Sequence, residues 1–99
     1  MADAFIRRRF ELGETSEVVV RFNKPVQRHV DYRCDYEITW PDRTRASCAF
    51  GIDEVQALVL ALMKAHVELE CSPEGKRGEL RWLGSEDLGL PSALSADGG

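Results

Sequence analysis

The run Gly51-Ile52-Asp53-Glu54-Val55-Gln56-Ala57-Leu58-Val59-Leu60-Ala61-Leu62-Met63-Lys64-Ala65-His66-Val67-Glu68-Leu69-Glu70 carries a helical period from end to end. Asp53 suits the N-cap, because its carboxylate can accept from the first-turn amides, and Gln56 can reach back to the Asp53 amide to complete a capping box. The spacing predicts a helix from about Glu54 to Glu70, stopped before Pro73. At ~100° per residue, Ala65, Leu58, Leu69, Leu62, Val55, Val59, Met63, Val67 and Leu60 span an arc of ~220°. One sheet hides a stripe little wider than ~100°, so this helix is expected to be covered on two sides. The second cover is either the chain after Gly75 or another protomer.

Upstream the period changes to two. Ile6, Phe10 and Leu12 alternate with Arg7, Arg9 and Glu11, with Arg8 the odd member of the apolar set. Gly13-Glu14-Thr15 can turn a hairpin into Glu17–Phe22, where Val18, Val20 and Phe22 point inward. Cys34, Tyr36, Ile38 and Trp40 alternate with Arg33, Asp35, Glu37 and Thr39, and Ala46, Cys48 and Phe50 continue the pattern. A two-residue loop at Pro41-Asp42 would pair Ile38 with Arg45 and set arginine among the core residues. A three-residue loop, Pro41-Asp42-Arg43, pairs Ile38 with Ala46, Tyr36 with Cys48 and Cys34 with Phe50, and keeps both apolar sets on one face. The parity argument favours the second. Leu80-Arg81-Trp82-Leu83 reads as a last strand, and Leu88, Leu90 and Pro91 can fold back over Leu60, Met63 and Val67. The fold expected is α+β: a mostly antiparallel sheet of about five strands, β-β-β-β-α-β, on one long helix. Residues 1–91 form a single domain and 92–99 a flexible tail.

Ninety-nine residues fit one domain with one core. Thirteen Lys and Arg against seventeen Asp and Glu give a net charge of −4. Binding nucleic acid by counterion release needs basic surface, so nucleic acid is not an expected partner. The longest apolar run, Ala57–Met63, is far short of a membrane span. The N-terminus lacks the order of a secretory signal, and Cys34, Cys48 and Cys71 are an odd number without a C-x-x-C pair; a cytoplasmic protein with reduced thiols is expected.

The residues that could carry chemistry do not assemble. Arg7, Arg9, Arg21, Arg33 and Arg45 are interleaved with Glu11, Asp35 and Glu37, as on a solvated face with cross-strand ion pairs. His29, Asp31, Cys34 and Cys48 lack the spacing of a metal site. His66 and Cys71 lie ~140° apart around a helix, too far for a dyad. Ser47 and Ser85 lack a nucleophile-elbow setting, Glu86-Asp87 is not buried, and no glycine-rich loop precedes the helix. No catalytic, cofactor-binding or metal-binding residue is assigned.

Cys34-x-Tyr36-x-Ile38, the helix start Gly51-x-Asp53-x-x-Gln56-Ala57-Leu58, and Trp82-Leu83-Gly84-x-x-Asp87-Leu88-Gly89-x-Pro91 together resemble a family of small bacterial proteins known as a domain of unknown function. The resemblance spans roughly residues 16–91 and implies a bacterial cytoplasmic protein, with no activity attached. Two positions depart from the family pattern, Asp35 where proline is common and Leu90 where phenylalanine is common. The working expectation is a non-enzymatic interaction protein that associates with itself or a protein partner through Leu60, Met63, Val67 and Trp82. The alternative is a small-molecule binder or minor enzyme with a pocket between sheet and helix, lined by Tyr36, Cys48, His66 and Trp82.

Overall fold

A computed structural model describes residues 4–92. The tail expected to be flexible from 92 onward therefore lies, beyond its first residue, outside the described residues. In chain order the elements are β1 (Ile6–Leu12), β2 (Ser16–Phe22), β3 (Val26–Gln27), β4 (Tyr32–Thr39), β5 (Thr44–Gly51), α1 (Glu54–Cys71), α2 (Pro73–Lys76) and β6 (Leu80–Arg81). Every strand pair is antiparallel. The fold is α+β, with the two-residue strand β3 and the short helix α2 added to the expected pattern. Across the sheet the order is β5-β4-β2-β1-β6, with β3 continuing the edge of β4 that β2 occupies.

The inner face of β1, β2 and β4 is the one read from the alternation. Phe10, Val18, Val20, Phe22, Cys34, Tyr36, Ile38 and Trp40 are all buried. Arg8 shares that face because its guanidinium lies over the Trp82 ring, 3.8 Å from the centroid, and donates to the carbonyls of Leu88 and Gly89 at 3.1 and 3.0 Å. Stacking and two carbonyl acceptors replace the water that a buried cation would lose.

The β4–β5 hairpin corrects the expected register. Trp40 N–H donates to the Arg43 carbonyl at 2.7 Å across Pro41-Asp42, and Ile38 faces Arg45, Tyr36 faces Ser47 and Cys34 faces Ala49. This is the shorter loop. It turns Ala46, Cys48 and Phe50 outward and presents the small residues Ser47, Ala49 and Gly51 to α1. Arg45 lies at the open end of this face and is exposed, so it does not enter the core. Arg43 folds over Trp40, 4.1 Å from the ring centroid, and makes a two-pronged contact to Glu74 of α2 with both distances 3.0 Å. That pair ties the hairpin to the end of the helix. It also holds the Glu74 carboxyl below its usual range.

Small residues on β5 meet small residues on the helix. Ala57, Ala61, Ala65 and Leu69, spaced four apart, are completely buried against the sheet, and α1 packs on β5 and β4. The approach is so close that a Cβ on Gly51 would stand 2.3 Å from the Ala57 backbone nitrogen. The helix begins as read, with the Asp53 carboxylate accepting from Gln56 N–H at 2.8 Å. The return bond of the capping box is displaced by one residue, because the Gln56 side chain accepts from Ile52 N–H at 2.7 Å. Ser72 ends α1 and caps α2, where Pro73 occupies a first-turn position that needs no N–H.

The segment after β6 folds back onto the core, but next to β1 and not over the outer helix. Leu88 is buried, and Trp82 and Leu90 are half-buried against the core. Trp82 and Ser85 exchange two backbone hydrogen bonds, of 2.8 and 2.9 Å, around Leu83-Gly84. Both central residues have positive φ, 52° at Leu83 and 82° at Gly84, as a type I′ turn requires. The Glu11 carboxylate accepts from the N–H groups of Leu83 and Gly84 at 3.1 and 3.0 Å. Asp87 accepts from Gly89 N–H at 2.9 Å, as its place in the sequence suggests. Gly89 has φ 70°, and a Cβ there would stand 2.3 Å from the Trp82 ring.

Candidate functional site

The alanine stripe decides what the rest of α1 does. Because Ala57, Ala61 and Ala65 take the sheet-facing positions, the large apolar residues are carried to the flanks and back of the helix. Leu58 and Leu62 are half-buried against the core. Val55, Val59, Leu60 and Val67 remain 69%, 37%, 37% and 52% exposed, with Ile52 at 80% just before the helix, and Met63 is partly exposed between them. Among the described residues this surface is only partly covered. The wide apolar arc is real, but the C-terminal segment is not its second cover.

Leu60 and Val67 stand four residues before and three residues after Lys64, so all three share one flank. Lys64 fixes where that flank lies. Its ammonium donates to the carbonyl of Cys48 at 2.9 Å. Trp40 and Arg43 form a hydrogen-bonded pair at the hairpin end, and such pairs alternate along an antiparallel ladder. The backbone groups of Arg45, Ser47 and Ala49 therefore point to β4, whereas those of Thr44, Ala46, Cys48 and Phe50 point away from the sheet. The Lys64 contact thus reaches the free edge of β5, and Leu60 and Val67 overhang the same edge.

Trp82 does not join this surface. It packs on Arg8 of β1, across the sheet from β5, and acts as a clasp for the C-terminal segment. The grouping of Tyr36, Cys48, His66 and Trp82 into one pocket is not found either. Tyr36 points to the helix and donates its hydroxyl to Glu68, while Cys48, opposite Asp35, points to the other face of the sheet. Burial and the Glu68 bond both push the Tyr36 pKa up. His66 is largely buried, with Nε2 3.1 Å from Glu70 Oε1.

A concavity of about 810 Å³ opens instead on the helix-free face, among Arg21, Asn23, Arg33, Asp35, Glu37 and Cys48. Its cations are already engaged: Arg21 donates to the Thr39 hydroxyl at 3.1 Å and Arg33 to Asp35 at 2.8 Å. Among the described residues, no three metal-ligating side chains converge. All three cysteines are free thiols. Cys34 is buried, donates to the Asn23 carbonyl at 3.4 Å, and has its pKa pushed up to about 11 by burial. That is the setting of an inert core thiol. Among the described residues no helix is long and apolar enough to cross a membrane.

These features define a small α+β domain in which, among the described residues, no strand lies beyond β5 and a partly exposed helix flank runs beside that edge. The chain belongs to the family described as a domain of unknown function (DUF6968), whose model matches residues 6–92. No curated protein and no solved structure matches it.

The sequence reading chose Leu60, Met63, Val67 and Trp82, placed Cys48 only in the alternative pocket, and missed Lys64 and the β5 edge. The signal was present in Ala57, Ala61 and Ala65 recurring every four residues after Gly51. Small residues at that spacing mark a helix held tight against a neighbouring backbone.

Proposed function

We propose that this chain is a non-enzymatic protein-interaction module, bacterial and cytoplasmic, which docks protein through the outer flank of α1. The exposed set Val55, Val59, Leu60 and Val67 carries the reading. Contiguous apolar surface on one element, beside a core packed elsewhere, is the usual mark of a docking face. The bacterial and cytoplasmic parts rest on the family resemblance and on the reduced, unpaired cysteines.

The size of the patch sets its strength. Covering these side chains, at roughly 25 cal/mol per Å² of apolar area, contributes several kcal/mol. Association costs roughly 4–15 kcal/mol in lost freedom. The helix flank alone therefore gives a weak complex, and a useful one draws on neighbouring surface.

Light scattering behind gel filtration, on wild type and Val67→Glu over a range of concentrations, tests the proposal. The expected result is a wild-type mass that rises above the 11.1 kDa monomer and a variant that stays there with unchanged circular dichroism. Wild type and variant that are indistinguishable throughout contradict it.

A further inference from the structure

We infer that the free edge of β5 pairs with β5 of a second copy, antiparallel about a two-fold axis, and brings the two α1 flanks together over the joined sheets. The inference rests on the docking role proposed for α1 and narrows its occupant to another copy of this chain.

The two edges of the sheet are finished differently. Beyond β1, the strand β6 pairs with Glu11 and Leu12, and Glu11 accepts the turn amides of Leu83 and Gly84. Beyond β5 there is no strand among the described residues. Eight residues, Thr44–Gly51, run along that edge without proline, bulge or inward charge at its centre. Such an edge is a template for another strand. Lys64 covers one carbonyl, that of Cys48, and no protein group accepts from the outward N–H groups of Ala46 and Cys48 among the described residues.

Geometry selects a second copy over a lone peptide strand. Antiparallel pairing of two identical edges in one sheet needs a two-fold axis normal to that sheet, which keeps both helices on the same side. Leu60 and Val67 overhang the β5 edge, so the operation that pairs the strands also sets one apolar flank against the other. An isolated peptide would satisfy the edge and leave the flank in water. Strand parity agrees, because outward-pointing residues of one copy meet outward-pointing residues of the other in every register related by this axis.

The contact is also large enough. The strand is ~26 Å long at ~3.3 Å per residue, and the helix runs beside it for a similar length. The molecule is 20 Å thick in its shortest direction. A face of those dimensions presents on the order of 500 Å² per copy, at the small end of specific interfaces. A contact of that size suits a weak, reversible dimer.

The test uses the full chain, wild type, Ala46→Pro and Val67→Glu, in light scattering across the micromolar range. Proline at Ala46 removes an N–H that points away from the sheet, a position where edge strands tolerate it. The expected wild-type mass approaches twice 11.1 kDa with concentration, while both variants stay monomeric. An Ala46→Pro protein that dimerises like wild type, beside a monomeric Val67→Glu, overturns strand pairing and leaves the helix-docking role standing. A wild type that stays monomeric overturns the inference. As a check that does not depend on the proline variant folding, Cys71→Ser leaves Cys48 as the accessible thiol, since Cys34 is buried. A short bis-maleimide should then link two chains through Cys48 at high concentration and not on dilution; monomer alone at high concentration overturns the pairing.

Discussion

The two halves of this molecule are packed by opposite means. On the β1 side, large groups fill the core: Phe10, Leu80, Leu88 and Trp82, with Arg8 slotted under the tryptophan. On the β5 side, Ser47, Ala49 and Gly51 meet Ala57, Ala61 and Ala65, and backbone lies almost on backbone. The first arrangement spends its large side chains inside and pairs the end of its edge, Glu11 and Leu12, with a strand that leads into a folded-back segment. The second keeps its large side chains outside, on the free flank of α1, and leaves its edge open. Apolar volume that close helix packing excludes from the core becomes surface.

The contrast is sharpest at Gly51. Gly51→Ala forces a methyl into the Ala57 backbone, which no side-chain rotation relieves, and is expected to lower stability by about 3 kcal/mol. Urea unfolding measures it, and an effect below the noise would mean that the helix is free to lift from β5. Trp82→Ala attacks the other half. Loss of the ring removes the platform for Arg8 and the wall against Gly89, for about 2–3 kcal/mol of destabilisation by the same assay. It is expected to leave the monomer–dimer balance of the remaining folded protein unchanged.

Acid probes the tie between hairpin and helix end. Because Arg43 holds the Glu74 carboxyl below its usual range, the pair stabilises the fold fully above the ordinary carboxylate pKa, ~4.3, and the contribution fades as pH falls through the lowered native value. A loss of roughly 1 kcal/mol is expected on acidification, and Glu74→Gln should flatten that part of the profile. The smallest effect is a gain. Leu83 holds φ 52° in a turn whose favoured pair is Asn-Gly. Leu83→Asn is expected to raise stability by about 0.5 kcal/mol, read as a small rise in the urea midpoint.

Much of the fold was legible because alternation and capping are local. Cys34, Tyr36, Ile38 and Trp40 announce a half-buried strand, and Asp53 with Gln56 announces the helix start. The β4–β5 register was misread for a physical reason. Parity gave the core to the bulkier set, Ala46, Cys48 and Phe50, whereas α1 approaches too closely for bulk and takes Ser47, Ala49 and Gly51. Arg8 had no local explanation, since its partners, Trp82 and the carbonyls of Leu88 and Gly89, come from the far end of the chain. Of the candidate site, the apolar flank could be seen in the helical period. The open strand beneath it could not, because which edge of a sheet lacks a neighbour is settled only by the complete topology.

Amide hydrogen exchange along β5, followed as concentration rises, tests the open edge most directly. Arg45, Ser47 and Ala49 should be protected throughout by their bonds to β4, while Ala46 and Cys48 should exchange freely when dilute and slow progressively at higher concentration. If Ala46 and Cys48 exchange freely at every concentration, β5 does not pair with another chain and the account of this edge is wrong.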